Sequence, residues 1–329
     1  DASLNTVNVG KYNLGWASIG ICTHALYEAI SHAHNRVLYG MRVTDFSHVR
    51  QMFVDAYCRL VAMKLFALRA ADYMRVASRE DRRYLLYNPM VKMKVTTQGE
   101  EVINQLWDAI AAKGFERDMY FSQAAVDIRA LPKLEGTVHV NIALIVKFMA
   151  SFFFNPGSYP DVPTQSQAAN DDFLFHQGDA KGLGQIQFND YHRAFEGWEL
   201  PNVRLFLEQV EIFRSLLATD PPGPDQMKDV DFLLAGGEIF ASVVYAQLLL
   251  ENARIHRDQG IDNDLVDQIF DFLVRDISRY ALQLYSKPIT TARQMELCQR
   301  MFRRPAPDAA RPISRCGSPT PNWPPRAPP

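Results

Sequence analysis

Apolar residues recur at helical spacing through most of the chain, and almost no segment alternates apolar and polar residues as a half-buried strand does. In the first half, this pattern predicts helices over residues 11–39, 45–75, 84–112, 120–129 and 138–154. On the first of these helices Gly15, Ala17 and Gly20 are small, and we expect them to admit a close neighbouring helix. The predicted fold class is all-α.

The second half repeats the helical pattern after a change of composition. Residues 155–200 are rich in turn-forming residues and predict a loop-rich connection. Beyond it, helices are predicted over residues 203–218, 225–258, 262–285 and 290–303. Nine of the 19 prolines fall in residues 305–329, so this tail is expected to be disordered. The chain thus divides into a helical domain (1–154), the connection (155–200), a helical extension (201–304) and the tail (305–329).

Composition excludes several classes of function. A formal net charge of −2 gives no basis for nucleic-acid binding. We find no uninterrupted run of about 18 apolar residues, and therefore expect no membrane span, and no leader typical of secretion. The four cysteines, which are Cys22, Cys58, Cys298 and Cys316, lack the spacing of a metal site or a disulfide framework, which favours a reducing cytoplasm and no metal. We expect the first two to be core residues. Because the chain starts at Asp1 rather than at Met, we expect it to be a fragment.

One carboxylate stands on a predicted turn between two helices. Pro132 disfavours helix, Gly136 allows a tight backbone, and Thr137 is placed to cap the apolar run that follows. Beside so much apolar surface, Glu135 is expected to lose part of its hydration, which would raise its pKa and suit a general base. The alternative is an ordinary solvated Glu in front of a helix.

Three motifs carry a family resemblance. Leu134-Glu135-Gly136-Thr137 resembles the (Tyr/Leu)-Glu-Gly-Thr signature of acyl-CoA dehydrogenases, and Arg36-Val37-Leu38-Tyr39-Gly40 resembles their Arg-x-x-Phe-Gly. Asp45-Phe46-Ser47-His48-Val49 is similar to their Asp-Phe-Gln-x-Val. The distance of 20 residues from Phe115 to Glu135 also agrees with the family. The resemblance covers about residues 7–148 and implies the C-terminal four-helix-bundle domain of that family, here followed by an additional helical subdomain.

The resemblance implies a role for individual residues. Glu135 would remove the α-proton of an acyl-CoA thioester while the β-hydride passes to FAD. Arg36 would contact the FAD pyrophosphate and Tyr39 would lie near the cofactor. Further cofactor positions are Ser47, Gly114, Thr137 and His139, and Lys11 and Gly136 lie at substrate positions.

The chain also departs from the family pattern. Ser47 stands where the family has Gln, Ala111 and Ala112 stand where it has two glycines, and Val126 stands where it has Arg. One subgroup places its base on the first helix instead, at the position that Gly10 occupies here. Since glycine has no side chain to act as a base, Glu135 is the candidate.

The implied reaction is the conversion of acyl-CoA to trans-2-enoyl-CoA in fatty acid β-oxidation, with electrons leaving to an electron-transfer flavoprotein. The family also implies a homodimer or homotetramer. Because the family's N-terminal and middle domains are missing, we expect this chain alone to be inactive. The alternatives are an acyl-CoA oxidase that passes electrons to oxygen, and a helical interaction protein without catalysis.

Overall fold

A computed structural model describes residues 2–164 and 177–306, with side chains from residue 6. The helices of the first half are α1 (Ala2–Asn35), α2 (Ser47–Arg75), α3 (Tyr84–Met90), α4 (Thr96–Ile110), α5 (Tyr120–Ala130), α6 (Val138–Ile145) and α7 (Met149–Phe154). Those of the second half are α8 (His192–Phe195), α9 (Pro201–Thr219), α10 (Val230–Ile255), α11 (Asn263–Tyr285) and α12 (Ala292–Arg300). The prediction of an all-α fold is confirmed.

Side-chain caps set where several helices begin. The Thr137 hydroxyl accepts a hydrogen bond from the Val140 amide at 3.4 Å, as predicted for the start of α6. Asp229 caps α10 through the Phe232 amide (2.9 Å), and Asp262 caps α11 through the Leu265 amide (2.9 Å). The helix predicted from residue 225 therefore starts at Val230, because the capping residue itself adopts an extended backbone.

The end of the first helix differs from the prediction. Helix α1 ends at Asn35 instead of continuing to Tyr39, and β1 (Val37–Leu38) pairs antiparallel with β2 (Met41–Arg42). Tyr39 (φ 52°) and Gly40 (φ 77°) form the two-residue turn between them. Positive φ at both central residues matches the twist of a tight hairpin. Val37 and Leu38 fit the apolar spacing of the preceding helix, and two residues are too few for the pattern to show that the helix has already ended.

Helices α1, α2, α4 and α5 pack against one another as the bundle. A π-helical segment (Val91–Val95) joins α3 to α4. The bundle is tight at two glycines: a Cβ atom on Gly99 would lie 2.1 Å from Ser18 Oγ, and one on Gly15 would lie 2.6 Å from Val91 Cγ1. The expectation is wrong for Ala17 and Gly20, because both are exposed, and a Cβ atom on Gly20 would meet nothing within 4 Å.

The second half is built around α10. This helix contacts α2, α6 and α11, and all its side chains from Ile239 to Leu250 are buried. Buried apolar side chains from both halves form one hydrophobic cluster. The domain boundaries given above stay predictions.

Among the described residues, two stretches are long and apolar enough to cross a membrane, by length and composition only: Tyr120–Phe154 and Val230–Ile255. The inference from the sequence missed them because it required an uninterrupted apolar run. In the second stretch 78% of the most apolar window is buried inside the protein, as expected for a core helix, whereas in the first 39% is buried and the Glu135 turn interrupts it. The absence of a membrane span stays a prediction.

The structure describes three of the four cysteines. Cys22, Cys58 and Cys298 are free and buried, so the prediction that the first two are core residues is confirmed. Cys316 and residues 307–329 of the predicted disordered tail lie outside the described residues, as do residues 165–176 of the connection.

Candidate active site

The predicted base lies on a short turn between α5 and α6. A 3-10 turn (Leu131–Lys133) ends α5, and Leu134, Glu135 and Gly136 lead to the capping residue Thr137. Glu135 has φ 49° and Gly136 has φ 86°. A left-handed backbone costs a residue with a side chain free energy, so the surrounding contacts must hold Glu135 in place.

Two buried side chains hold this turn by its carbonyl groups. Lys92, on the π-helical segment, donates from Nζ to the carbonyl oxygens of Pro132 and Gly136. Asn141 donates from Nδ2 to the carbonyl oxygens of Gly136 (3.2 Å) and Thr137 (2.8 Å). The backbone on both sides of Glu135 is therefore fixed by side chains from α6 and from the bundle.

The side chain of Glu135 meets the first helix. A Cβ atom on Gly10 would lie 3.4 Å from Glu135 Oε1, so the carboxylate occupies the space beside Gly10. Glu135 is nevertheless exposed, and the desolvation expected from the sequence is not present in this chain. The structure therefore brings together Gly10 and Glu135, the two positions that the sequence analysis considered for the base.

Two lysines give this region a positive electrostatic environment. Burial lowers the pKa of Lys11, and the nearby Glu135 carboxylate partly offsets that. Burial, followed by the charges of Lys11 and Lys133, lowers the pKa of Lys92 to about 8, while Glu135 again acts in the opposite direction.

A second region surrounds Arg36. A cavity of about 510 Å³ lies between the end of α1 and the 3-10 turn Ala111–Phe115, and its lining residues are Glu28, Ser31, His32, Asn35, Arg36, Lys113 and Met119. His32 Nε2 is buried and has no hydrogen-bond partner among the described residues. Burial, then the charges of Arg36 and Lys113, lowers the pKa of His32, with Glu116 acting against this. Two cations and an orphaned ring nitrogen suit a bound diphosphate.

Beside this cavity, an alanine has a backbone conformation that is typical of glycine. Ala111 adopts φ 59° and ψ −141°, a conformation that few residues other than glycine occupy. Gly114 is buried against Trp107, and a Cβ atom on Gly114 would lie 2.5 Å from Trp107 Nε1. Gly114 is therefore required for packing, and Lys113 is the neighbour that faces the cavity.

The remaining predicted residues are spread over the surface. Tyr39 is 96% exposed at the hairpin tip, and Ser47 is exposed at the start of α2. His139 is exposed on α6. The structure thus brings Lys11, Glu135, Gly136 and Thr137 into one region and sets Arg36 with Lys113 in another. Within residues 2–164 and 177–306 no group of three or more His, Cys, Asp or Glu side chains could hold a metal ion.

Sequence reasoning missed Lys92, Asn141 and His32. Lys92 had a signal, because it interrupts the apolar run Met90-Val91-Lys92-Met93 inside a predicted helix. A lysine on a buried helix face needs polar partners. The sequence does not show that the polar partners of Lys92 are backbone carbonyls some 40 residues further along the chain.

Comparison with known proteins gives a family match for the first half of the chain. Residues 1–150 match the family model described as the acyl-CoA dehydrogenase C-terminal domain. A curated relative, the CarC subunit of the caffeyl-CoA reductase–Etf complex of Acetobacterium woodii, is 36% identical over 72 residues, which cover 22% of this chain and 19% of that protein.

Solved structures with the same fold extend over nearly the whole chain. An acyl-CoA dehydrogenase from Bacillus anthracis, complexed with FAD, aligns with a TM-score of 0.60 and 13% identity over 93% of this chain and 54% of that one. Acyl-CoA oxidase 1 from Yarrowia lipolytica aligns with a TM-score of 0.54 and 14% identity over 90% of this chain and 47% of that one. The chain spans about half the length of these structures, and at such identities the likeness concerns the fold alone.

Proposed function

Residues 1–150 belong to the acyl-CoA dehydrogenase family as its C-terminal domain, and from this premise we propose that the chain is the C-terminal part of a flavin-dependent acyl-CoA dehydrogenase. The proposed reaction converts a saturated acyl-CoA to a trans-2-enoyl-CoA in fatty acid β-oxidation. The observation that carries this proposal is the turn at Glu135, whose backbone is fixed by hydrogen bonds from Lys92. The turn places the carboxylate next to Gly10, the alternative base position of the family.

Glu135 takes the α-proton of the thioester in this proposal. Its exposed carboxylate can reach a substrate that covers the turn, and the side chains of Lys11 and Lys92 lie near it. A positioned base contributes about 10²–10⁴-fold to a rate. Lys11 and Gly136 would lie on the substrate side, and Thr137 and His139 on the cofactor side.

FAD is the proposed cofactor, and when bound it would accept the β-hydride. The cavity beside Arg36 supports this assignment, since Arg36 and Lys113 can bind the pyrophosphate and His32 Nε2 lacks a partner among the described residues. Tyr39, Ser47 and the backbone at Gly114 complete the proposed cofactor surface. The orphaned nitrogen of His32 would gain a hydrogen-bond partner when the diphosphate binds.

The proposal also covers the binding partners and the cellular location of the protein. Electrons would leave to an electron-transfer flavoprotein, and the chain would assemble as a homodimer or homotetramer through its first helices. The exposed apolar side chains Tyr27, Val37 and Tyr39 support an interface on that side. A cytoplasmic location agrees with the three free buried thiols.

The decisive experiment compares wild type with Glu135→Gln in the longer protein that carries the missing domains. Oxidised flavin is followed under anaerobic conditions after addition of a long-chain acyl-CoA. We expect bleaching in wild type and in the control Glu100→Gln, whose carboxylate lies near the turn and contacts Lys133 at 3.3 Å, but none in Glu135→Gln. Bleaching in all three would move the base elsewhere, and a wild type without a flavin band would favour the non-catalytic alternative.

An acyl-CoA oxidase is the second candidate, since the fold of this chain, extension included, aligns with a solved oxidase over 90% of its length. The same carboxylate and flavin would serve both reactions. Oxygen uptake on addition of substrate to the aerobic holoenzyme would identify the oxidase. The purified 329-residue chain should show neither activity, because much of the flavin and acyl-CoA surface would come from the missing domains.

A further inference from the structure

Lys92 is one of two neighbouring buried lysines that point to different parts of the molecule. Both lie on the π-helical segment Val91–Val95, and both are at most 1% exposed. Lys94 Nζ donates to Ser242 Oγ of α10 at 3.3 Å and to the Tyr280 hydroxyl of α11 at 3.4 Å. Lys92 Nζ instead donates to the carbonyl oxygens of Pro132 and Gly136. π-Helical segments redirect side chains within a helix and are frequent at functional sites.

The two carbonyl groups bound by Lys92 stand on either side of Glu135. Pro132 ends the helical run of α5, and Gly136 directly follows Glu135. One ammonium group thus ties the beginning of the turn to its end. The Pro132 carbonyl lies at the negative end of the helix dipole of α5, where a cation is stabilising.

The turn requires such a tie because its backbone is unfavourable on its own. Glu135 has φ 49°, and a residue with a side chain holds this conformation only where its surroundings impose it. Asn141 binds the Gly136 carbonyl from the α6 side but does not reach Pro132. Lys92 is therefore the contact that joins the two halves of the turn.

We propose that Lys92 is a positioning residue for Glu135, which fixes the backbone of the turn so that the carboxylate is presented beside Gly10. This inference rests on the proposed role of Glu135 as the base. Lys92 itself lies beneath the turn and acts through the backbone, not on the substrate.

The first test concerns the turn alone and needs no activity. Amide hydrogen exchange is measured at the hydrogen-bonded amides on either side of Glu135, Leu134 (to the Leu131 carbonyl, 3.4 Å) and Asn141 (to the Thr137 carbonyl, 3.1 Å), in the 329-residue chain for wild type, Lys92→Met and the matched control Lys94→Met. We expect exchange at least about tenfold faster in Lys92→Met, because charge-assisted hydrogen bonds to the backbone are lost, and unchanged in Lys94→Met. Exchange as slow as in wild type in Lys92→Met would overturn the proposal. If Lys92→Met does not fold, Lys92→Gln, which is too short to bind both carbonyls, is measured against the same criterion.

The second test uses the longer flavin-binding protein. Lys92→Met should slow flavin reduction by about tenfold to hundredfold at saturating acyl-CoA, with flavin content and substrate affinity kept within about threefold of wild type, because the carboxylate is misplaced. A structural defect alone would lower flavin content and affinity together. If Glu135→Gln also leaves reduction unchanged, the proposed function fails while the exchange result still stands. If Glu135→Gln abolishes reduction and Lys92→Met does not slow it, the positioning role is overturned.

Discussion

Gly10 on α1 and Glu135 on the turn before α6 face each other, with a Cβ atom on Gly10 placed 3.4 Å from Glu135 Oε1. The two residues are far apart in the sequence, and under the proposed function they correspond to the two alternative positions of the base. A carboxylate could therefore reach the same space from either backbone. The absence of a side chain at Gly10 is what leaves that space to Glu135.

Moving the carboxylate from one backbone to the other should rescue the reaction in part. In the longer protein, Glu135→Gly is expected to lower the rate of flavin reduction by about 10²–10⁴-fold, because a positioned base is removed. Adding Gly10→Glu to it should recover at least about tenfold. The control is Gly20→Glu with Glu135→Gly, since a Cβ atom on Gly20 meets nothing within 4 Å. Equal rates for the two double variants would show that a carboxylate at residue 10 does not replace the base at residue 135.

Ala111→Gly should stabilise the protein. Ala111 holds φ 59° and ψ −141°, and relief of this strain is worth about 1–2 kcal/mol. Because Ala111 is exposed, loss of its methyl group leaves no cavity. The thermal midpoint should rise by about 2–4 °C. Ala112→Gly is the control: its φ is not positive, so the added flexibility should lower stability by about 0.5–1 kcal/mol. A rise for Ala112→Gly alone would refute the strain argument.

The same substitution should have opposite effects at two glycines of α1. Gly15→Ala places a methyl group 2.6 Å from Val91 Cγ1 and 3.3 Å from the Val91 carbonyl oxygen, and overpacking of this kind costs about 1–3 kcal/mol. Gly20→Ala meets nothing within 4 Å and should gain about 1 kcal/mol of helix propensity. Urea unfolding of both variants measures the difference. Similar midpoints would mean that α1 does not rest on the π-helical segment as described.

Much of the fold follows from local patterns in the sequence. Apolar spacing places the long helices, and Thr137 predicts where α6 begins. The start of α10 at Val230, capped by Asp229, was not predicted. The hairpin after Asn35 escapes such reasoning, because Val37 and Leu38 fit either structure and the positive φ of Tyr39 is not a property of tyrosine.

The candidate site is less predictable than the fold. Glu135 is found through its motif, but its neighbours come from elsewhere in the chain. Lys92 reaches it from the π-helical segment and Gly10 from α1. Only packing of the bundle brings these residues together, so neither spacing nor composition could assign them.

The ion pair between Arg59 and Asp276 joins the two halves of the chain and should make stability depend on pH. Arg59 Nη1 lies 3.1 Å from Asp276 Oδ2, and both side chains are about 5% exposed. Burial raises the pKa of Asp276, but the charges of Arg59 and then Lys94 outweigh it, so the pKa lies below its ordinary 3.8. A carboxylate with a lowered pKa contributes stability above about pH 4, and this contribution is lost as pH falls through the lower folded-state value.

Asp276→Asn should therefore destabilise the chain most at neutral pH. At pH 7 the variant leaves Arg59 and Lys94 buried without their counter-charge, which costs about 3–5 kcal/mol. The difference from wild type should shrink below about pH 4, because the Asp276 carboxylate then takes up a proton in the unfolded chain while the lowered pKa keeps it ionised in the folded chain. The control is Asp271→Asn on the same helix: Asp271 is 35% exposed and pairs with Arg275 at 2.7 Å, so its removal should cost no more than about 1 kcal/mol at either pH. Urea unfolding at pH 7 and pH 3.5 measures all three proteins. A cost for Asp276→Asn that stays constant between these pH values would mean that the buried carboxylate is not ionised in the folded chain.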